Sequence, residues 1–362
     1  MRIRRGGRLA RLLALGVAAA LVVPAAAAGP VASAAGSGRR LERIPRFSHV
    51  FVLILENENF DATWGPSSPA HYLNSLRKRG VFATQYFATG HASLDNYIAM
   101  VSGQPDNPVT GSDCLAVNLW TCVQPQSAMS GGRNLADQMD RAHVSWKGYM
   151  DSMPSPCFHS DYAPTAPPPD PYQGDSQEPP AKDYADRHNP FIYFDDIVGN
   201  DARCKAHVVP FTRLAADIRN DRAPRFGFIT PDTCHDGHDD PCSNGKPGGL
   251  VSADLWLSQQ VPAILHYLWR HDGLLIITLD ENGVTDGPPV GCCTGGPGGT
   301  PGFGGRIGLL ALSPRLPGGK VVDTEYDHMS LLRTLEDSFG ISEHLNNAGT
   351  ATAMADVLAP KG

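Results

Sequence analysis

Apolar runs that stop on acidic residues restrict this chain more than any other feature. SHVFVLIL (48–55) ends on Glu56-Asn57, FGFIT (226–230) leads into Asp232 to Asp239, and LLIIT (274–278) leads into Asp280-Glu281. Runs without polar alternation suit strands buried on both faces, which occur in parallel sheets covered by helices. Similar runs lie at 81–86, 144–149 and 306–312, with helical patterns at 68–79, 95–102, 133–142, 251–271 and 327–339. Gly80 stands where a left-handed C-cap would close the first helix. The alternation predicts an α/β fold, a three-layer sandwich around a largely parallel central sheet. Ligands in such sheets sit beyond the carboxyl ends of the strands. Paired carboxylates behind buried strands are costly unless a cation lies between them.

The 362-residue chain opens with a secretory pattern: Arg2, Arg4, Arg5, Arg8 and Arg11, an apolar stretch Leu12 to Val23, and Ala32-Ser33-Ala34 as the cleavage site, with Ala28 as an alternative. That stretch is short of the roughly 20 residues a membrane span needs. Arg4-Arg5 is a poor twin-arginine match. Cleavage near Ala34 yields a secreted protein, with 35–46 a flexible segment and 47–362 one domain. Losing five arginines and no acids takes the net charge from −7 to −12. An acidic surface disfavours nucleic acid as a partner; a monomer with no stable membrane anchor is expected. Eight cysteines in an exported chain favour disulfides. The expected pairs are Cys114–Cys122, Cys157–Cys204 and Cys234–Cys242, with Cys292-Cys293 either bridged or reduced. The stretches 153–182 and 283–305 lack periodicity and read as long binding loops.

Ser93 opens a helix whose first-turn N–H groups can hold an anion; an N-cap serine is the plainer alternative. Asn96 lies within reach of the same anion. Glu56, Asn57, Asp280 and Glu281 offer oxygen ligands only, which with the Ser93 oxygen suits a hard divalent ion. The loop PDTCHDGHDDPC adds Asp232, His235, Asp236, His238 and Asp239, imidazoles and carboxylates that suit a second, zinc-like ion or direct phosphate contact. His328, beside Asp327 at a helix start, is expected to complete that side.

HVFVLILENENF, GHASLDNYIAMVSG, ITPDTCHDGHD, IITLDENG and YDHMSLLRTLEDSFGI resemble the motif series of the bacterial phosphoesterase family of secreted acid phosphatases and phospholipases C, part of the alkaline phosphatase superfamily. The likeness runs from about residue 47 to 342. It is strongest to the smaller secreted acid phosphatases, including mycobacterial ones acting on phosphatidylinositol 3-phosphate. It implies an alkaline phosphatase-like fold in which Ser93 attacks phosphorus, Asn96 holds a phosphoryl oxygen, and Glu56, Asn57, Asp280 and Glu281 surround the metal. It also implies that Asp236, His238, His328 and His91 belong to the site. YADRHNPFIYF resembles a further family block and makes His188 a candidate for phosphate or leaving-group contact. Ala92 and Asp95 stand where the family usually has proline, and a carboxylate there is expected to alter phosphate affinity or substrate choice.

The expected activity is therefore metal-dependent hydrolysis of phosphate esters through a phosphoserine, with one or two ions of calcium, magnesium, manganese or zinc, and His238 or His328 moving protons. A small-molecule phosphomonoester or a phosphoinositide headgroup is the expected substrate. Phospholipase C activity is the alternative, and a non-catalytic exported metal-binding protein the bland one.

Overall fold

The computed structural model describes residues 43–108, 110–114, 122–124, 133–159, 183–283 and 291–362. The expected export signal, most of the 153–182 stretch and residues 284–290 lie outside these. The strands are β1 (Val50–Leu55), β2 (Val81–Ala83), β3 (Tyr86–Phe87), β4 (Trp146–Met150), β5 (Val208–Pro210), β6 (Phe226–Thr230), β7 (Leu274–Leu279), β8 (Leu309–Leu312), β9 (Lys320–Val322) and β10 (Tyr326–Asp327). The helices are α1 (Phe60–Trp64), α2 (His71–Leu76), α3 (Ser93–Ser102), α4 (Leu135–Arg141), α5 (Asp195–Val198), α6 (Asp201–His207), α7 (Thr212–Arg219), α8 (Gly249–Arg270) and α9 (His328–Phe339).

Every residue of β1, β6 and β7 is buried, which is why their sequences carry no polar alternation. They form the centre of an eight-stranded sheet ordered β5-β4-β6-β1-β7-β8-β2-β9. Only β8 is reversed, antiparallel to both β7 and β2. β3 and β10 make a separate parallel pair. Helix α2 packs on α8, and α3 packs with α4 and α9, so the sheet lies between helical layers as a three-layer α/β sandwich requires.

The five longest expected helices form within a few residues of their predicted limits. The run 81–86 divides instead. β2 stays in the main sheet, Thr84 bonds to Val322 O at 2.9 Å, and β3 turns away to pair with β10. Gly80 is extended (φ −148°, ψ −162°), not left-handed. The reason for glycine there is space, since a Cβ would lie 2.1 Å from Ala311 O. All eight cysteines are paired, the three expected bridges plus Cys292–Cys293. No thiol is left for zinc.

Gly80→Ala forces β2 and β8 apart where they pair. Urea unfolding is expected to show a loss of ~1–3 kcal/mol; an unchanged midpoint would mean that the strands adjust freely.

Candidate active site

In-register pairing of β1 and β7 sets Leu55 opposite Leu279, so Glu56 and Asp280 leave the sheet side by side. The ladder continues into the site: Asp280 N–H donates to Leu55 O at 3.0 Å, and Glu56 N–H to Asp236 O at 2.9 Å. Glu56, Asp236 and Asp280 have no exposed surface and Glu281 has 4%. Burial is the main force raising the pKa of Glu56, Asp236, Asp280 and Glu281 above the carboxylate range. Repulsion from Asp280 and Asp236 adds to the shift of Glu56.

Helix α3 starts at Ser93, with Ala92 in the capping position. Asp113 supplies the cap, its Oδ1 accepting from Leu94 N–H at 2.8 Å. The Ser93 hydroxyl is thereby free and donates to Glu56 Oε2 at 3.1 Å. Tyr97, one turn further along the same helix face, donates its hydroxyl to Glu56 Oε1. Its ring stacks on His188 with centroids 5.4 Å apart. Asn57 takes a left-handed φ of +43°, which asparagine tolerates, and its N–H donates to Asp280 Oδ1 at 3.1 Å. The inward end of its amide lies 3.1 Å from Glu56 Oε2 and 3.2 and 3.3 Å from the Asp280 oxygens. With nitrogen inward it donates to both carboxylates; with oxygen inward it joins them as a ligand.

His188 is buried with neither ring nitrogen hydrogen-bonded. Nε2 faces Glu56 Oε2 at 3.5 Å and Nδ1 faces Asp236 Oδ2 at 3.3 Å, and Asp236 Oδ2 also lacks a partner. Burial, then the charges of Arg187 and His238, hold His188 well below its ordinary pKa. Glu56, His188 and Asp236 each present a ligand atom within 4.8 Å of the others. Orphaned buried nitrogens and oxygens beside carboxylates that burial strips of charge are what a cation resolves. Glu56, Asn57, Asp280 and Ser93 supply the oxygen donors a hard divalent ion takes, and His188 with Asp236 extends the set.

Residues 66–342 match the Phosphoesterase family. The chain belongs to the phosphoesterase family. It is 29% identical to a probable acid phosphatase of Kluyveromyces lactis, over 85% of this chain and 62% of that protein. It is 24% identical to the phosphatidylinositol-3-phosphatase of Mycobacterium tuberculosis, over 68% of this chain and 67% of that protein. A phospholipase C B of the same species is 29% identical over 35% of this chain and 27% of its own. The chain spans only 55–62% of the length of the fungal acid phosphatases it matches. Among solved structures, an alkaline phosphatase superfamily protein from Vibrio parahaemolyticus superposes with a TM-score of 0.50 at 13% identity, over 82% of this chain and 67% of that one. The lipoteichoic acid synthase LtaP of Listeria monocytogenes gives 0.50 at 12%, over 87% and 76%.

In this phosphoesterase several residues stand elsewhere than the sequence implied. Asn96 is fully engaged by the loop before Ser93. Its oxygen accepts from Thr89 N–H, Thr89 Oγ1 and Gly90 N–H at 2.9, 2.7 and 3.1 Å. Its nitrogen donates to Gly90 O and Ala92 O, both at 3.0 Å. These five bonds make it a clamp on the loop before Ser93. His328 braces the backbone beside the cluster. Nε2 bonds to Asp280 O at 2.6 Å, Nδ1 to the Tyr86 hydroxyl at 3.0 Å, and burial holds its pKa down at about 4. Glu281 turns away from Asn57, its Oε2 3.1 Å from His91 Nδ1 and 3.5 Å from Asn96 Nδ2.

Asp95 packs beneath the loop before Ser93. It is 2% exposed, faces Asp106, and is pushed well up by burial. Its carboxyl fills the space a Gly90 side chain would need, 2.1 Å from a Cβ there. His238 does belong to the rim. Its Nδ1 bonds Asp239 Oδ1 at 2.7 Å and its Nε2 lies 3.2 Å from Arg187 Nη2. His91 keeps 20% of its side chain exposed. Tyr97, Arg187 and Asp113 were not anticipated. Only Tyr97 carried a usable signal, its four-residue spacing from Ser93.

Asn96→Ala is expected to lower the free energy of unfolding by ~2–4 kcal/mol through the bonds it frees. A normal melting curve with weakened substrate binding would restore the phosphate-holding role.

Proposed function

We propose that this chain is an exported, metal-dependent phosphatase that hydrolyses phosphomonoesters through a phosphoserine on Ser93. The observation that carries the reading is the Ser93 hydroxyl 3.1 Å from Glu56 Oε2, inside a knot of buried carboxylates at the sheet edge. Ser93 releases its proton toward Glu56 and attacks phosphorus as the bond to the leaving oxygen breaks; the alkoxide departs on the opposite side, takes a proton from water to become the alcohol, and leaves a phosphoserine. Glu56, Asn57, Asp280 and the Ser93 oxygen would hold a divalent cation, which when bound would lower the serine pKa and screen the phosphate charge. Arg187, once turned from His238, would donate to the phosphoryl oxygens. His238, its Nδ1–H held by Asp239 Oδ1, keeps Nε2 as an acceptor. That is the state needed to take a proton from the water of the second step once Arg187 turns to phosphate. His91, with 20% of its side chain exposed, sits beside Glu281.

The phosphatidylinositol-3-phosphatase relative supports a phosphoinositide headgroup as one natural substrate, and the phospholipase C relative keeps diester cleavage as the second reading. The apolar leader at 12–23 supports export. Among the described residues no helix is long and apolar enough to cross a membrane.

Ser93→Ala is expected to reduce phosphate release from p-nitrophenyl phosphate by more than about a thousandfold with an unchanged circular dichroism spectrum. Residual activity of a few per cent would remove Ser93 from the chemistry. Chelation followed by dialysis is expected to abolish turnover reversibly, with recovery on returning Mg²⁺, Ca²⁺, Mn²⁺ or Zn²⁺. Release of phosphocholine from phosphatidylcholine, in place of phosphate from monoesters, would transfer the assignment to phospholipase C.

A further inference from the structure

The loop after β6 faces two ways. Asp236 turns inward to His188, while Asp232 and His235 turn outward to Asp151, the residue that follows β4. Parallel pairing places Met150 opposite Thr230, and Asp151 N–H donates to Thr230 O at 2.9 Å, so Asp151 and the loop leave adjacent strands together. His235 Nδ1 lies 2.9 Å from Asp151 Oδ2 and 2.9 Å from Asp232 Oδ1. One imidazole nitrogen carries at most one proton, so it can donate fully to only one of two carboxylate oxygens converging on it. Asp232 is 3% exposed; its Oδ2 accepts from Ser152 Oγ at 2.5 Å and its Oδ1 from the His235 backbone N–H at 3.0 Å, which fixes Oδ1 beside the imidazole. Trp256 stacks near the His235 ring and fixes its plane.

We propose that Asp151 Oδ2, Asp232 Oδ1 and His235 Nδ1 bind a second divalent ion of the zinc type, separate from the Ser93 cluster. The three atoms can each be placed within 4.8 Å of the others, compatible with ligand bonds of about 2.0–2.2 Å to a common ion. Two carboxylates offset its double charge, and one imidazole among them favours zinc over magnesium or calcium. Three protein ligands leave a fourth tetrahedral position open. Asp151 and His235 also line a cavity of about 420 Å³ walled by Phe211, Leu214, Trp256 and Ile264, so the fourth ligand enters from that side. The ion fastens the loop bearing Asp236 and His238 to the end of β4. This site stands whether or not Ser93 is the nucleophile.

The test uses the full chain, stripped with chelator and dialysed against Zn²⁺. Elemental analysis is expected to find one fewer zinc per chain in Asp151→Asn and His235→Gln than in the unmutated protein, whereas Ser93→Ala keeps this ion. Zinc-edge anomalous scattering from zinc-soaked crystals of the unmutated protein is expected to give a peak between the three side chains, independently of how the variants fold. Equal zinc counts in folded variants and unmutated protein, or no peak between these side chains, would overturn the site and leave a histidine paired with two carboxylates.

Discussion

Buried carboxylate charge at the carboxyl edge of the sheet governs the rest of this molecule. Glu56, Asp236 and Asp280 have no exposed surface, and burial is the first cause raising the pKa of each. A fold maximising stability would replace such groups with apolar ones. Retaining them requires that folding deliver them to a common point, ready to hold positive charge. The unbroken apolar strands accomplish this, because parallel register fixes where each strand ends.

Around that point lies a second tier of residues that hold the acids and the start of α3 in place. His328 grips the Asp280 carbonyl and is itself held by Tyr86. Asn96 ties Thr89, Gly90 and Ala92 into one conformation, and Asp113 caps α3 in place of the serine. The glycine-rich segment 291–305 closes over the same loop: Phe303 N–H donates to Thr89 O at 2.9 Å, and Ala88 N–H to Gly305 O at 2.9 Å. Thr294 in turn bonds Asp327, the cap of α9. The nucleophile loop and the Asp280 brace thus share one support. Disturbing either one is transmitted to both.

The strands and the acids at their ends were legible because both depend on local pattern: uninterrupted apolar residues, then a carboxylate. Ser93 was legible in the same way, as a polar residue opening an apolar helix. What escaped the sequence depends on distant partners. Nothing local distinguishes Asn96 as a loop clamp from Asn96 as a phosphate ligand; only the positions of Thr89 and Gly90 decide. His328 looked like a site histidine because it follows an aspartate at a helix start, yet both its nitrogens are engaged by residues 48 and 242 positions away. The short elements β5, β9 and β10, of 3, 3 and 2 residues, are too brief for periodicity to register. Tertiary pairing alone creates them.

Asp95 illustrates why a motif departure need not change chemistry. A carboxylate two residues from a nucleophile looks electrostatically hostile to phosphate, and in water it would be. Here its neighbours are Gly90 and Asp106, and burial followed by Asp106 pushes its pKa well up, so its carboxyl serves the packing of the loop. Gly90 has no side chain, and the Asp95 carboxyl occupies the space one would need. Substituting a proline at Asp95 would remove that filling while rigidifying the first turn of α3, where a missing N–H is tolerated. Helix start and loop can therefore be fixed either by a ring that restricts φ or by an acid that fills the gap. This chain uses the acid, and the field at Ser93 is set by Glu56 and its partners.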